Sequence, residues 1–246
     1  GVEIIIGNDA SSDGTAEYLD QLKAKYQFIK IINHPKNLGF DGNMEKLVAA
    51  ARGEYIWLFG EDDLIIEGSI KKVLQSINLN NPNYILINTL NIISLDDRNI
   101  DYKIIGGNRL NIQEDLLIEN FEAEADKLLK IGNWLYLTNL ISAVVFKKKL
   151  FLDLMDRAKQ YVHKDNLYLW QVPIIMGISK LGKLNIIAEP LILHRKNENH
   201  WSKSIEKILT LNLYDSSEIL NVIKVITTLM EYVYFSNDIK FIIHNQ

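Results

Sequence analysis

Apolar and polar positions alternate between two periods in the first part of the chain. An apolar run at 2–7 precedes a polar turn, and apolar side chains then recur at helical spacing over 18–26. The run predicts a buried strand, and the spacing predicts an amphipathic helix. The same order repeats, with a strand at 28–32, a helix that ends before Gly53, and a strand at 55–59.

Elements of both kinds are also predicted further along the chain. Apolar runs and helical periodicity predict strands at 84–89, 140–146 and 184–194, and helices at 114–131, 166–181 and 205–235. The polar stretch 94–107 predicts a mobile loop.

This alternation of strands and helices predicts an α/β fold with a mostly parallel sheet flanked by helices. Ligands of such sheets bind beyond the carboxyl ends of the strands. Two of those ends carry acidic loops, which are Asn8 with Asp9 after the first strand and the stretch 60–63 after the third. We therefore predict one ligand site formed by these two loops.

Composition limits the classes of function. With 246 residues and 48% hydrophobic content, the chain can bury a sizeable core. Its formal net charge of −4 argues against binding of nucleic acid, which needs a basic surface. Because cysteine is absent, a metal would be held by oxygen or imidazole. No apolar run reaches the roughly 18 residues that span a bilayer, and no leader opens the chain, so the expected location is the cytoplasm.

Several strings of the chain resemble signatures of family 2 glycosyltransferases, in the same order and spacing. Residues 3–15 read E-I-I-I-G-N-D-A-S-S-D-G-T, which resembles the second-strand signature E-I-I-V-V-D-D-G-S-S-D-G-T. The next signatures are matched by N-L-G-F at 37–40, A-R-G-E-Y-I at 51–56 and G-E-D-D at 60–63. The forms N-L-G-F-D-G-N and W-L-F-G-E-D-D are most similar to the abequosyltransferase-like branch, whose members add sugars to bacterial surface polysaccharides.

The resemblance implies a GT-A-type fold and metal-dependent, inverting transfer of a sugar from a nucleotide-sugar donor to a glycan or lipid-linked glycan acceptor. It implies one domain at 1–200, with a donor half at 1–93 and an acceptor half at 94–200, and a C-terminal helical segment at 201–246 packed on it. Family members begin with a strand and a helix that are absent before Gly1, so we expect a sheet without one central strand.

Two alternatives accompany this interpretation. The first concerns location. A lipid-linked acceptor is compatible with peripheral contact at the inner face of the cytoplasmic membrane as well as with a location in the open cytoplasm. The second concerns activity, because a domain derived from this family can bind a nucleotide-sugar or act as a scaffold without catalysis.

By the resemblance, Asp62 is the second aspartate of a D-x-D element and would be the principal ligand of Mn²⁺ or Mg²⁺. Asp63 or Glu61 would support it. Gly60 stands where the family has the first aspartate. The alternative is that Asp62 and Asp63 cap the helix that is predicted to start near Glu67.

The resemblance also assigns the donor nucleotide to the first loop. Asp9 matches the residue that hydrogen-bonds the nucleobase or ribose, and an Asx-turn at the helix start is its alternative role. Asn37 and Gly39 begin a second loop over the nucleotide. Asp41 and Asn43 are candidates for lining the base pocket, and N-capping is the alternative for Asp41.

Inverting transfer further needs a general base that takes the proton from the acceptor hydroxyl. Asp165, in the stretch 163–170, resembles the aspartate of the family's E-D-x-x-L element. His163 is its competitor because an imidazole titrates near neutral pH. Arg195, after the last extended run, is a candidate to grip the donor diphosphate, and a solvated charged turn is the alternative.

Overall fold

The computed structural model describes residues 1–95, 101–106, 110–131, 140–161 and 182–196. The described strands are β1 Ile4–Asn8, β2 Ile29–Asn33, β3 Tyr55–Trp57, β4 Leu64–Ile65, β5 Tyr84–Ser94, β6 Tyr102–Gly106, β7 Leu116–Ile118, β8 Val144–Lys147 and β9 Leu184–Arg195. The described helices are α1 Thr15–Lys25, α2 Gly39–Ala50, α3 Ser69–Asn80, α4 Phe121–Ile131 and α5 Lys148–Tyr161, with a 3₁₀ turn at Ile141–Ala143.

The described strands form two sheets. β1 and β2 pair in parallel with each other, and the other strands form a seven-stranded sheet in the order β3-β8-β5-β9-β4, with β6 on β5 and β7 on β9. This agrees with the expected α/β class. The seven-stranded sheet is mixed, however, because only β5 and β9 pair in parallel within it.

Connection length explains part of this mixed direction. Parallel neighbours need a crossover of about a dozen residues or more, whereas a short connection can join only antiparallel strands. β5 ends at Ser94 and β6 begins at Tyr102, so the two strands pair antiparallel. The prediction of a loop over the whole of 94–107 was therefore wrong for β6.

The core lies on both faces of β5. Tyr84 and Leu86 point into one cluster, together with residues of α2, α4 and α5, while Ile85 and Ile87 point into a second cluster with Val73 of α3. This alternation follows from the two-residue period of a strand. Each fully buried large apolar side chain stabilises the fold by about 1.5–3 kcal/mol, and together they fix β5 as the central strand.

Helix α2 connects the small sheet to the large one. Met44 and Val48 are buried in the core cluster with Ile56 of β3, while the adjacent face of the helix, with Asn43 and Leu47, meets β1. At Gly7 of β1, a Cβ atom would lie 2.1 Å from Asn43 Oδ1. Glycine therefore permits this approach of helix and strand without a shift of the Asn43 side chain.

The end of α2 is held from several sides. Lys30 Nζ donates to the Ala50 carbonyl at 3.3 Å, and Lys148 Nζ donates to the carbonyls of Ala49 and Ala51. These lysines satisfy carbonyls that a helix end leaves without intrahelical partners, and their charge complements the helix dipole.

Glu3 fixes the chain just after this helix. Its Oε1 accepts hydrogen bonds from the backbone N–H groups of Arg52 and Gly53, at 2.5 and 2.8 Å. These bonds, with the Arg52 guanidinium beside them, hold the pKa of the Glu3 carboxyl below its usual range. Since Glu3 precedes β1 and Gly53 precedes β3, the two strands begin at the same level.

The predicted helix at 114–131 begins later than expected. Leu116–Ile118 form β7, which pairs with β9, and α4 begins at Phe121. Asn120 sets this start because its Oδ1 accepts the Ala123 N–H, while Glu124 Oε2 accepts the N–H groups of Glu119 and Asn120. This reciprocal pattern resembles a capping box.

Other predicted elements have different outcomes. The strand predicted at 140–146 is a 3₁₀ turn followed by β8, and the strand predicted at 184–194 is β9. The helices predicted at 166–181 and 205–235, and the segment 201–246, lie outside the described residues, so the domain boundaries stay predictions. Within the described ranges, no helix is both long and apolar enough to cross a membrane.

Candidate functional site

Asn8 joins the ends of the two parallel strands. It is the last residue of β1, and its Nδ2 donates to Oδ1 of Asn33, the last residue of β2, at 3.1 Å. Its Oδ1 accepts the Ser11 N–H at 3.0 Å. Asn8 is buried, so these bonds satisfy a side chain that would otherwise destabilise the strand end.

Asp9 reaches across to the loop before α2. Its Oδ1 accepts the backbone N–H of Leu38 at 2.7 Å, and Asn37 Oδ1 accepts the N–H of Gly39 at 2.8 Å. Gly39 has a φ of 73°, in the left-handed region that favours glycine. The local turn expected of Asp9 is formed by Asn8 instead. The structure thus places Asp9 against the loop that contains Asn37 and Gly39.

His34 and Asn43 form a pair beside this loop. His34 Nε2 lies 3.1 Å from Asn43 Oδ1, in the first half of α2. Leu38 is the N-cap residue of α2, so Asp41 lies inside the first turn and the N-cap alternative for it was wrong. The side chain of Asp41 is not among those described. Sequence reasoning did not identify His34.

The acidic loop after β3 is supported by the end of β9. Asp63 is buried, and its Oδ1 lies 2.8 Å from His194 Nδ1 and accepts the Arg195 N–H at 3.1 Å. An ionised carboxylate only accepts hydrogen bonds, so His194 Nδ1 carries the proton in this pair. Asp63 therefore points into the protein and anchors the loop.

Arg195 extends this support. Its side chain is buried, its Nε donates to the Asp62 carbonyl at 2.9 Å, and its guanidinium donates to the Ser94 hydroxyl through Nη1. The alternative of a solvated charged turn was therefore wrong for Arg195.

The Asp62 carboxyl has a raised pKa. Burial is the main cause, the charge of Asp63 adds to it, and the charges of His194 and Arg195 oppose it.

A Cβ atom at Gly60 would lie 3.0 Å from Asp62 Oδ1 and 3.5 Å from Ser142 Oγ. Ser142 Oγ also accepts the Gly60 N–H at 2.9 Å. An aspartate at position 60 would therefore need Asp62 to shift.

The donor set of this loop suits a hard cation. In the described part of the chain, no three His, Asp or Glu side chains are arranged to hold a metal ion by themselves. Mg²⁺ typically binds through one or two carboxylates together with substrate phosphates, rather than in a cage of protein ligands. Asp62 fits that mode, whereas Asp63 Oδ1 is engaged with His194 and Arg195.

The other candidate residues lie outside the described ranges or at the surface of the acidic loop. Asp165 and His163 are outside them. Glu61 is exposed in the acidic loop.

A cavity of about 510 Å³ lies elsewhere, at the irregular part of β9, and is lined by Lys72, Ile112, Gln113, Glu114, Asp115, Ala188, Glu189 and Pro190.

Residues 1–132 match the sequence profile described as Glycosyl transferase family 2. The abequosyltransferase RfbV of Salmonella typhimurium is 40% identical over 76 residues, which cover 30% of this chain. The chain spans only 22% of the length of that relative. The aligned stretch agrees with the branch suggested by the sequence motifs.

Two solved structures are similar in fold. Staphylococcus aureus TarS 1-349 in complex with UDP superimposes with a TM-score of 0.55 at 14% identity, covering 79% of this chain and 51% of that chain. The mannosyltransferase PcManGT of Pyrobaculum calidifontis, in complex with GDP-Man and Mn²⁺, gives a TM-score of 0.51 at 11% identity, covering 85% and 52%. At these identities the similarity shows the fold alone, and it confirms the fold class expected from the sequence.

Proposed function

The chain belongs to glycosyl transferase family 2, and from this premise we propose that it transfers a sugar from a nucleotide-sugar donor to a glycan or lipid-linked glycan acceptor. The observation that carries the proposal is the half-buried carboxylate of Asp62, held in the acidic loop next to the pair of the buried Asp63 and the half-buried His194. Such a carboxylate is disfavoured in the folded protein unless a cation or a proton neutralises it.

The donor nucleotide is proposed to lie over the first loop. Asp9 accepts the N–H of Leu38 there, and Asn37 accepts the N–H of Gly39. Asn43 and the first turn of α2 lie beside them. A carboxylate keeps acceptor capacity after one hydrogen bond, so Asp9 can also receive a donor group of the base or ribose. The bound UDP of TarS and GDP-Man of PcManGT support this class of donor.

The geometry of α2 supports one site made of the loop at Asp9 and the acidic loop at 60–63. The helix begins where Leu38 meets Asp9, after β1, and the chain beyond it meets Glu3, before β1. β3 therefore starts near the amino end of β1, and we propose that the acidic loop beyond β3 lies on the same side of the domain as Asp9.

The acidic loop is proposed to hold Mn²⁺ or Mg²⁺ on Asp62, with Glu61 and Asp63 in support. When bound, the ion supplies positive charge that stabilises the leaving diphosphate. Asp62 would hold the ion, while Asp63 and His194 keep the loop in place. Mn²⁺ in the PcManGT complex supports this choice of ion.

The transfer is proposed to invert the anomeric centre. Asp165, or His163 as the competitor, would accept the proton of the acceptor hydroxyl as its oxygen attacks the anomeric carbon. The glycosidic bond forms as the bond to the diphosphate breaks. Similarity to an abequosyltransferase supports a role in bacterial surface polysaccharide synthesis, on the cytoplasmic side of the membrane.

A second candidate function is donor binding without catalysis. Gly60 favours it, because a carboxylate expected by the family pattern is absent, and a side chain at this position would need Asp62 to shift. Slow hydrolysis of the nucleotide-sugar in the absence of acceptor separates the two, since a binding or scaffolding domain has no hydrolytic turnover.

A thermal-shift screen tests the proposal. UDP-, GDP-, CDP- and dTDP-sugars are tested with and without Mn²⁺, on the wild type, Asp62→Ala and the exposed control Glu67→Ala. A ligand at 100 times its Kd stabilises the native state by about 2.7 kcal/mol. We expect one donor class to raise Tm only with Mn²⁺ in the wild type and control, and not in Asp62→Ala. No shift with any donor in the wild type would overturn the proposal.

A further inference from the structure

Arg195 is a buried cation whose described side-chain contacts lead to the acidic loop and to the end of β5. It is 4% exposed. β5 and β9 are parallel neighbours, with Ile92 opposite Arg195, and Ser94 ends β5. By donating to both the Ser94 hydroxyl and the Asp62 carbonyl, the guanidinium joins the large sheet to the loop.

The same residue fixes the loop at a second point. The Arg195 N–H donates to Asp63 Oδ1, so one residue holds the backbone of Asp62 through its side chain and the carboxylate of Asp63 through its main chain. A bond to a backbone carbonyl constrains position, whereas simple charge attraction does not. Removing a guanidinium from water costs several kcal/mol, which the two neighbouring carboxylates offset in part.

We propose that Arg195 is a positioning residue for the cation site, which it serves by holding the backbone of Asp62 so that this carboxylate faces the divalent ion. The inference rests on the proposed function. It replaces the expectation that Arg195 grips the donor diphosphate, because a bidentate grip needs an accessible guanidinium edge. Lysine is a poor substitute, since its compact ammonium lacks the rigid fork that reaches two fixed acceptors.

The test measures Mn²⁺ affinity. Mn²⁺ is titrated into each folded protein with UDP or GDP present, and the unbound ion is followed by its electron paramagnetic resonance signal. The variants are Arg195→Met, Arg195→Lys and Ser94→Ala. Arg52→Met is the matched control, because the Arg52 side chain is 88% exposed and contacts Glu3.

We expect Arg195→Met to raise the apparent Mn²⁺ dissociation constant by about 10- to 100-fold, as is typical when a group that orients a metal ligand is lost. Arg195→Lys should restore little of this affinity, and Ser94→Ala should shift it in the same direction by less. The control should match the wild type. Excess Mn²⁺ should restore nucleotide binding in every variant, because the nucleotide contacts remain.

Two results would overturn the inference. An unchanged Mn²⁺ constant in folded Arg195→Met, or in Ser94→Ala if the arginine variants do not fold, removes the positioning role. Loss of nucleotide binding that excess Mn²⁺ does not restore assigns Arg195 to the donor instead. If the wild type itself binds no Mn²⁺ with nucleotide, the cation site of the proposed function fails, and the inference fails with it.

Discussion

At the scale of single residues, the charge on Asp62 destabilises the ligand-free protein. Because burial and Asp63 raise its pKa, the folded state holds the Asp62 proton more tightly than the unfolded state does. The stabilising contribution is therefore present below the unfolded pKa and is lost as pH rises through the folded pKa. At neutral pH, the ionised carboxylate opposes folding.

Asp62→Asn should therefore raise the Tm of the ligand-free protein by a few degrees at neutral pH while removing its response to Mn²⁺ with nucleotide. Differential scanning calorimetry checks both effects. Glu67→Gln, at an exposed carboxylate on the next connection, between β4 and α3, should change neither. A fall in Tm for Asp62→Asn would mean that this carboxylate stabilises the fold. It would not do so by capping α3, because the N-cap residue of α3 is Gly68 and no side chain caps it, so the capping alternative for Asp62 and Asp63 was wrong.

The general base gives a second prediction at this scale. Asp165→Asn should keep Mn²⁺-dependent donor binding and lower turnover by about 10²- to 10⁴-fold, because only proton transfer is lost. His163→Asn should change turnover much less. Steady-state kinetics with matched donor-binding assays check this, and a reversed pair of results would move the role to His163.

Sequence separation decided which site residues could be predicted. Asp9, Asn37 and Gly39 lie in local motifs after strands, so the sequence alone predicts them as donor-site residues. The partners of the acidic loop do not lie in local motifs, because they are distant in sequence. His194 lies 131 positions from Asp63, and Ser142 lies 82 positions from Gly60. Only the pairing of strands brings such residues together, and no local pattern encodes it.

At the scale of elements, the end of α2 depends on charged side chains from other parts of the fold. Lys148→Met should destabilise the protein by about 0.3–1 kcal/mol, because the carbonyls of Ala49 and Ala51 lose a cationic donor. Its exposed neighbour gives the control Lys149→Met, which should be neutral. Urea unfolding measures both, and equal midpoints for the two variants would contradict the role of Lys148.

The start of α4 gives a prediction on pH. The Lys127 ammonium and the N–H groups of Asn120 and Glu119 lower the pKa of Glu124 to about 2. A depressed pKa contributes stability above the ordinary value of 4.5, and this is lost as pH falls toward about 2.

Glu124→Gln should thus be less stable than the wild type at pH 7, and the difference should shrink below pH about 4.5 and vanish near the lowered pKa. Thermal melts across this range measure it. Glu17→Gln, an exposed acid in the first turn of α1, is the control and should show a smaller, flatter difference. A gap for Glu124→Gln that does not change with pH would rule out the carboxylate as its cause.

The boundary between β7 and α4 shows why element limits were harder to predict than element types. Leu116, Leu117 and Ile118 are followed by Phe121, and these apolar positions fit a helix as well as a strand. Pairing with β9 selects the strand, and the cap at Asn120 then starts the helix. The first of these causes is a tertiary contact, which periodicity does not reveal.

At the scale of the whole molecule, α2 makes one unit of two sheets. Its start contacts the first loop through the bond between Leu38 and Asp9, and Met44 and Val48 pack into the main core. The chain just after the helix contacts Glu3, which precedes β1. The proposed site needs both sheets, because Asp9 belongs to the smaller and Asp62 follows a strand of the larger. The alternation of strands and helices predicted the α/β class, but the mixed strand directions depend on pairings across the chain.

The central claim is that the loops of Asp9 and Asp62 form one site for a metal ion and a nucleotide. Anomalous diffraction at the manganese edge, from crystals grown with Mn²⁺ and the nucleoside diphosphate that gives the largest thermal shift, tests it most directly. We predict an anomalous peak at about 2.0–2.3 Å from an Asp62 carboxylate oxygen, with the nucleoside against Asp9 and Gly39. A manganese peak remote from Asp62, or a nucleoside bound away from Asp9, would contradict the account.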